Sequence, residues 1–267
     1  MSLTRRQATS LAALSAVPLA LAATGTAQAT SDRRTRTLYI AGDSTAAQKY
    51  ADAAPETGWG MALPFFLHKD RSVANHAVNG RSSKSFVDEG RLDAILDEIC
   101  SGDFLIIQFG HNDQKENDPA RYTEPWSTYQ DYLRRYIEGA RSRGARPVLA
   151  TSVERRRFDA DGNARTSHGD YPAAMRALAR QERVALLDIQ ALSLALWQEL
   201  GVEETKKYFN WTETEQDNTH FNPPGAIAVA RLVARELLRT RVLAPQDLHR
   251  LDETIPESWI TWPQATA

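Results

Sequence analysis

The nine residues TLYIAGDST, from Thr37 to Thr45, decide the fold that the sequence predicts. The apolar run TLYIA is typical of a short buried strand, and Gly42 ends it. Asp43 and Ser44 follow directly, at a predicted turn from a strand into a helix. Because Asp and Ser are also common helix caps, the role of Ser44 depends on what the rest of the chain brings to this turn.

Four more apolar runs have the same character as this first strand. They lie at Val73 to Val78, Phe104 to Phe109, Pro147 to Ser152 and Val184 to Asp188. Helix-like segments alternate with the strands, at Trp59 to His68, Lys84 to Ile99, Trp126 to Arg143, Pro172 to Glu182, Ala191 to Leu200 and Pro224 to Arg239. This alternation predicts an α/β fold with a five-stranded parallel sheet that is covered on both faces. The polar segments Glu154 to Asp170 and Glu203 to Thr219 are predicted to be long loops that shape a substrate site.

The composition is that of one globular domain preceded by an export signal. The chain has 267 residues, of which 42% are hydrophobic and 25% charged, so it can bury a sizeable core. The pair Arg5-Arg6, the uncharged stretch Ala8 to Thr26 and the small-x-small pattern Ala27-Gln28-Ala29 are typical of a cleaved signal peptide. We therefore expect a signal at residues 1–29, exported by the twin-arginine or the general route. The domain is expected at residues 30–267, as a secreted monomer without stable membrane association.

Charge and cysteine content exclude several classes of protein. The formal net charge is −2, whereas a nucleic-acid-binding protein would have a clear basic excess. The single Cys100 rules out an intrachain disulfide, and its place after an apolar stretch predicts a buried structural thiol. Neither a CxxC nor a His-x-x-x-His motif is present, so no metal site is predicted.

Polar residues follow three of the predicted strands, where a parallel sheet forms its ligand crevice. Ser44 follows the first strand, and the segment Asp217 to His220 (DNTH) places a carboxylate and an imidazole three positions apart. His220 is of the right type to activate the Ser44 hydroxyl, and Asp217 is of the right type to orient the imidazole. The sequence alone leaves open whether Asp217 also caps the following helix.

A tetrahedral oxyanion would need donors at the same edge of the sheet. The backbone N–H groups of Ser44 and Gly80 and the side-chain amide of Asn112 are candidates, because each follows a different predicted strand. Gly80 could alternatively serve only to permit a turn, and Asn112 only to bind its own loop. His111 and Asp113 are expected to have structural roles.

Four sequence blocks resemble the signature blocks of the SGNH (GDSL-like) hydrolases. They are GDST at Gly42 to Thr45, NGRSS at Asn79 to Ser83, GHND at Gly110 to Asp113 and DNTH at Asp217 to His220. Their order and spacing match the family from Leu38 to about Leu238. The GDST block and the FGHND block from Phe109 to Asp113 are most similar to the rhamnogalacturonan acetylesterase group.

The resemblance implies a flavodoxin-like three-layer sandwich that uses no metal or organic cofactor. It also implies a serine esterase that removes acetyl groups from plant cell-wall polysaccharide, foremost rhamnogalacturonan. An esterase for acetylated xylan or small acyl esters is the alternative within the family, and a carbohydrate-binding protein without catalysis is the alternative outside it. No G-x-S-x-G motif surrounds any serine, which argues against an α/β-hydrolase.

Three residues are candidates for contacts with an acetylated polysaccharide. Trp126 and Trp211 have apolar faces that suit sugar rings, and Arg81 could attract a pectic polyanion. Each can equally be an ordinary packing or surface residue. The run Arg155-Arg156-Arg157 is either a capture site for a polyanion or a solvated charge run.

Overall fold

A computed structural model describes residues 35–265 of the chain. Five parallel strands form one sheet in the order β2-β1-β3-β4-β5. Their bounds are β1 Arg36–Gly42, β2 Arg71–Asn75, β3 Phe104–Gln108, β4 Arg146–Ala150 and β5 Ala185–Leu187. The predicted five-stranded parallel sheet is therefore confirmed. The predicted signal at residues 1–29 lies outside the described residues and stays a prediction.

Helices cover both faces of the sheet. They are α1 Trp59–Ala62, α2 Ser83–Asp88, α3 Arg91–Glu98, α4 Thr128–Ser142, α5 Tyr171–Glu182, α6 Ile189–Glu204 and α7 Pro223–Arg239. Successive residues of β1 alternate between the two faces, as a strand requires. Leu38 and Ile40 pack in the core with α1, α6 and α7, whereas Tyr39 and Ala41 pack with α2 to α5. The result is a three-layer α/β sandwich.

Two predicted helices differ from the observed ones. The segment Lys84 to Ile99 forms two helices instead of one, because Gly90 between them has a left-handed φ of 72°. Glycine adopts this conformation without a steric penalty and breaks the helix there. The segment Trp59 to His68 forms only the four-residue α1 and a 3-10 turn with Pro64 in its first turn, and a proline has no N–H for an α-helical bond.

The predicted loop Glu203 to Thr219 is only partly a loop. It contains the end of α6 and a small antiparallel hairpin of β6 (Phe209–Trp211) and β7 (Gln216–Phe221). The Asp-x-x-His pair therefore lies on a strand, just before α7. The strand forms because Phe209 and Phe221, which are paired in register, both bury their rings in the core.

The prediction that Cys100 is buried is wrong. Helix α3 ends at Glu98, and Ile99 continues in extended conformation with its side chain in the core. Extended residues alternate in direction, so the next side chain, Cys100, is exposed.

Candidate active site

Ser44, His220 and Asp217 form a continuous hydrogen-bonded chain at the carboxyl edge of the sheet. Ser44 Oγ lies 2.9 Å from His220 Nε2, and His220 Nδ1 lies 2.7 Å from Asp217 Oδ2. In the neutral tautomer that this order requires, Nδ1–H donates to the carboxylate and Nε2 accepts from the serine hydroxyl. The arrangement is the one by which a histidine removes a proton from a serine.

The strand β7 presents the acid and the base with little freedom. Asp217 Oδ1 accepts from the backbone N–H of Thr219 at 2.6 Å and of His220 at 3.0 Å. At the residue after His220, the carbonyl of Phe221 accepts from the N–H of Thr57 at 2.7 Å. The short Asp-x-x-His spacing thus lets one carboxylate bind both the backbone and the ring of the same segment.

The hydrogen bond between Asp217 and His220 shifts the pKa of both side chains. Burial alone would raise the pKa of Asp217, but hydrogen bonds from His220 and Thr219 lower it, so the carboxylate is ionised. Burial alone would lower the pKa of His220, but the bond to Asp217 and the charge of Glu56 raise it above the usual 6.5. Each partner therefore favours the charged form of the other.

A buried network supports the turn that carries Ser44. Asp43, which is fully buried, accepts from the N–H of Thr45 at 3.0 Å and from its hydroxyl at 2.7 Å. His111 Nδ1 lies 3.2 Å from the same carboxyl group. Burial would raise the pKa of Asp43, but His111 and Thr45 lower it to about 2. His111 thus has the structural role expected of it.

The three candidate oxyanion donors follow three neighbouring strands, β1, β2 and β3, at this edge of the sheet. Within residues 35–265 the backbone N–H groups of Ser44 and Gly80 donate to no protein acceptor. Gly80 has a φ of 76°, which turns its N–H in a direction that other residues adopt only with strain. Asn112 donates one amide hydrogen to the carbonyl of Arg81 at 3.1 Å, and the other stays available.

Asp113 holds together the loops that carry these donors. The buried carboxyl group accepts from the N–H and hydroxyl of Ser83, next to the Gly80 turn, and from the hydroxyl of Thr123. Burial raises its pKa to about 7, although the hydrogen bonds from Ser83 and Thr123 act in the opposite sense. The expected role of Asp113 in fixing its loop agrees with these contacts.

The three candidate substrate residues have different partners in the structure. Trp126 is 51% exposed and donates from Nε1 to Asp170 at the start of α5. Trp211 is paired with Gln216 on the strand that carries the acid and base. Arg81 forms an ion pair with Glu89 at 3.0 Å. Among the described residues, none of the three forms a hydrogen bond or ion pair with the side chain of Ser44, Asp217 or His220.

The arginine run Arg155 to Arg157 does not act as one patch. Arg155 points toward the buried network, where it donates to the carbonyl of His111 at 3.4 Å. Arg156 points the other way, with its guanidinium 4.4 Å from the ring centroid of Trp211. Neighbouring side chains on an extended backbone point to opposite sides. Arg155 and Arg156 therefore lie in different surroundings.

Two charged residues whose charges act on His220, Lys49 and Glu56, were missed from the sequence. Lys49 Nζ lies 2.6 Å from Asn79 Oδ1 and 2.5 Å from Glu56 Oε1. The Lys49 side chain is only 1% exposed. No pattern in the sequence distinguishes this lysine from a surface lysine. Among residues 35–265, no group of three or more His, Cys, Asp or Glu side chains is arranged to hold a metal ion.

Residues 40–226 match the model of the GDSL-like Lipase/Acylhydrolase family. The chain therefore belongs to this family, and it is a carboxylic ester hydrolase by class. The resemblance of the four sequence blocks to the SGNH hydrolases is confirmed, and so is the three-layer fold.

Two similar proteins come from Bacillus subtilis (strain 168). The chain is 46% identical over 198 residues to the probable rhamnogalacturonan acetylesterase YesY, a match that covers 74% of this chain and 90% of that protein. It is 44% identical over 206 residues to the rhamnogalacturonan acetylesterase RhgT, covering 74% and 87% of the two chains. The protein is thus an SGNH hydrolase close to the rhamnogalacturonan acetylesterase group.

Solved structures give the same fold. The Bacillus subtilis protein YxiM superposes with a TM-score of 0.70 at 32% identity, over 78% of this chain and 57% of that one. Axe2, an acetylxylan esterase from Geobacillus stearothermophilus, has a TM-score of 0.55 at 16% identity, over 78% and 95% of the two chains. The second likeness is one of fold alone.

Proposed function

We propose that this protein is a secreted acetylesterase that removes acetyl groups from plant cell-wall polysaccharide, foremost rhamnogalacturonan. The observation that carries the chemistry is the hydrogen-bonded chain from Ser44 through His220 to Asp217. The substrate class is supported by the rhamnogalacturonan acetylesterases that are nearly half identical to the chain. Secretion is supported only by the sequence of residues 1–29.

In the first step, Ser44 Oγ attacks the acetyl carbonyl while its proton moves to His220 Nε2. The imidazolium that forms lies against the ionised Asp217, which stabilises the positive charge. The C–O bond to the sugar then breaks, and His220 returns the proton to the departing sugar hydroxyl. The acetyl group stays on Ser44 as an ester.

The second step uses the same residues on water. His220 removes a proton from a water molecule, and the resulting hydroxide attacks the acetyl carbonyl on Ser44. The bond to Oγ breaks, His220 returns its proton to the serine oxygen, and acetic acid leaves and loses its remaining proton to the solvent as acetate forms. No redox step or second substrate is needed beyond the water.

Both tetrahedral intermediates carry a negative oxygen that needs fixed donors. In the proposed mechanism, the N–H groups of Ser44 and Gly80 and the free amide hydrogen of Asn112 bind this oxygen. These donors are already oriented by the Asp43 and Asp113 networks, so little reorganisation accompanies the reaction. The partner in solution is the acetylated polysaccharide, and we expect the enzyme to act as a monomer.

The first experiment compares acetate released by the mature chain from acetylated rhamnogalacturonan and from acetylated xylan. We expect release mainly from rhamnogalacturonan, and none above background from Ser44→Ala. Exposed Ser142 provides the matched control, because Ser142→Ala should release acetate at the rate of the unmodified chain. Release by a folded Ser44→Ala protein would overturn the nucleophile assignment, and preferential release from xylan would overturn the polymer assignment.

A further inference from the structure

A lysine side chain is buried beside the proposed active site. Lys49 lies five residues after Ser44, and its side chain is only 1% exposed. Lysine is almost never buried to this degree unless its charge is paired. A buried ion pair is by itself weak evidence for stability, so its position relative to the reacting groups is the informative feature.

The ammonium group joins two segments that border the site. On one side it donates to Asn79 Oδ1 at 2.6 Å, and Asn79 directly precedes the oxyanion glycine, Gly80. On the other side it lies 2.5 Å from a carboxylate oxygen of Glu56. Lys49 thus connects the turn that carries an oxyanion donor with a segment next to the catalytic base.

The Glu56 segment is itself fixed against the strand that carries the base. The next residue, Thr57, donates its N–H to the carbonyl of Phe221, which follows His220. The carbonyl of Glu56 accepts from Trp262 Nε1 at 2.8 Å. Movement of Glu56 would therefore be transmitted to the backbone beside the imidazole.

We propose that Lys49 and Glu56 are positioning residues that hold the Asn79-Gly80 turn against the His220 strand and balance the charge beside the imidazole. The inference rests on the proposed function, because it assigns these residues a role in the Ser44 reaction. They contact neither the serine oxygen nor the imidazole, so they act through other groups.

The charges that face His220 have opposite expected effects. Burial lowers the pKa of His220, the bond to Asp217 and the charge of Glu56 raise it, and the charge of Lys49 lowers it. Burial lowers the pKa of Lys49 below its usual 10.5, and the charges of Glu56, Asp43 and Asp217 offset part of this effect.

Other charged side chains lie on the segments that are packed against β7. Arg156, from the segment after β4, binds Asn218 rather than the ring. Strand β6 has no titratable side chain, and Glu236 of α7 pairs with Arg239. Besides Asp217, the charges of Glu56 and Lys49 act on the imidazole.

The test measures kcat/KM for 4-nitrophenyl acetate against pH, in a pH-stat, for two single variants. Lys49→Met removes the cation and leaves the Glu56 carboxylate uncompensated, so we expect the acidic limb of the profile to move up by about half a pH unit or more. Glu56→Gln removes the carboxylate, so we expect the limb to move down. Lys49→Met should also reduce kcat about ten-fold, because the turn before an oxyanion donor loses its support.

The double variant Lys49→Met/Glu56→Gln separates the two roles. Its acidic limb should return toward that of the unmodified enzyme, while kcat stays low because Asn79 still lacks its donor. Arg71→Met, which breaks the ion pair to Asp247 at the other end of β2, is the matched control. It should lower the unfolding temperature without moving the limb.

The inference would be overturned if the acidic limb of the kcat/KM profile did not move in either Lys49→Met or Glu56→Gln. It would also be overturned if the limb moved in the same direction in both variants. A kcat of folded Lys49→Met within two-fold of the unmodified value would overturn it as well. Ser44→Ala is measured alongside, because hydrolysis by that variant would instead refute the proposed function. The small ester is used so that an error in the polysaccharide assignment has no effect on the result.

Discussion

Ser44 and His220 are 176 positions apart in the chain, but Ser44 Oγ lies 2.9 Å from His220 Nε2 in the structure. At the residue scale, this distance gives both side chains their proposed roles, because a serine hydroxyl is a weak nucleophile until a base lies within hydrogen-bond reach. The residue types could be recognised from the sequence, and so could the place of Ser44 after a predicted strand and of His220 before a predicted helix. The contact itself could not, since it depends on how β7 lies against the end of β1.

The first residue-scale prediction concerns the oxyanion donors. Asn112→Ala should reduce kcat about 10²-fold to 10³-fold with little change in KM, because the donor acts mainly on the charge of the transition state. Steady-state hydrolysis of 4-nitrophenyl acetate measures both constants. Asn117→Ala, an exposed asparagine of the same loop, should behave like the unmodified protein. A loss of less than ten-fold in Asn112→Ala would contradict the assignment.

The second prediction concerns the pH dependence of the reaction. The base must be neutral, so activity is lost as the pH falls through the pKa of His220, which is raised above 6.5. The acidic limb of kcat/KM should therefore lie above pH 6.5. Asp217→Asn removes the carboxylate that raises this pKa, so the limb should move to lower pH while kcat falls about 10²-fold to 10⁴-fold.

Exposed Asp252 offers the matched control for that experiment. Asp252→Asn also removes one carboxylate charge, but this carboxylate lies outside β7 and pairs with Arg235. The substitution should leave both kcat and the acidic limb of the pH profile unchanged. A limb that stays in place in Asp217→Asn would argue against the carboxylate as the partner of the base.

At the element scale, the hairpin β6–β7 and the start of α7 bring the acid and the base to the site. Asn222 joins the three elements, since its Oδ1 accepts from the N–H of Gly225 and its Nδ2 donates to the carbonyls of Lys207 and Phe209. One side chain thus caps the helix and fixes the hairpin. The residue comes two positions after His220.

The element-scale prediction follows from that cap. Asn222→Ala should lower the free energy of unfolding by about 1 to 2 kcal/mol, because the helix loses its cap and two carbonyls lose a donor. It should also lower kcat, since the strand with His220 is held less firmly. Denaturant unfolding and ester hydrolysis measure the two effects.

The control for the cap is Ser127→Ala. Ser127 precedes α4 in the same kind of position, but its side chain makes no capping bond. It should change neither stability nor rate noticeably. Equal effects of the two substitutions would show that the bonds of Asn222 are not what holds the hairpin.

At the scale of the whole molecule, a parallel sheet between two helical layers leaves its polar residues at one edge. Asp113 is buried there, no basic side chain within residues 35–265 is bonded to it, and burial raises its pKa to about 7. An unfolded aspartate has a pKa of 3.8, so the native state binds more protons between these two values. The contribution of Asp113 to stability is therefore present below pH 3.8 and is lost as the pH rises toward 7.

The molecular-scale prediction compares Asp113→Asn with the unmodified protein at several pH values. The asparagine carbonyl can still accept from Ser83, but it carries no charge. As the pH rises from 4 to 8, the free energy of unfolding of the variant should increase by about 2 to 4 kcal/mol relative to that of the unmodified protein. Thermal unfolding monitors this difference, and exposed Asp93→Asn is the control. A difference that does not change with pH would contradict the raised pKa.

The amino-acid sequence was enough to predict the parallel sheet, its five strands and the residue types at its carboxyl edge. Those features come from local patterns, since apolar runs and alternating helices depend on residues that are close in the chain. The family blocks added the roles expected of Ser44, Gly80, Asn112, Asp217 and His220. These roles stay predictions, supported by the hydrogen bonds that join Ser44, His220 and Asp217.

The contacts between segments that are distant in the chain could not be predicted from the sequence and are seen in the three-dimensional structure. The exposure of Cys100, the division of the arginine run and the hairpin that carries His220 all depend on which side of the backbone faces the core. The pairing of Lys49 with Glu56 and Asn79 depends on the approach of three separate turns. Such contacts leave no local pattern in the sequence, because the energy that selects them comes from burial and charge pairing between segments that only the complete fold brings together.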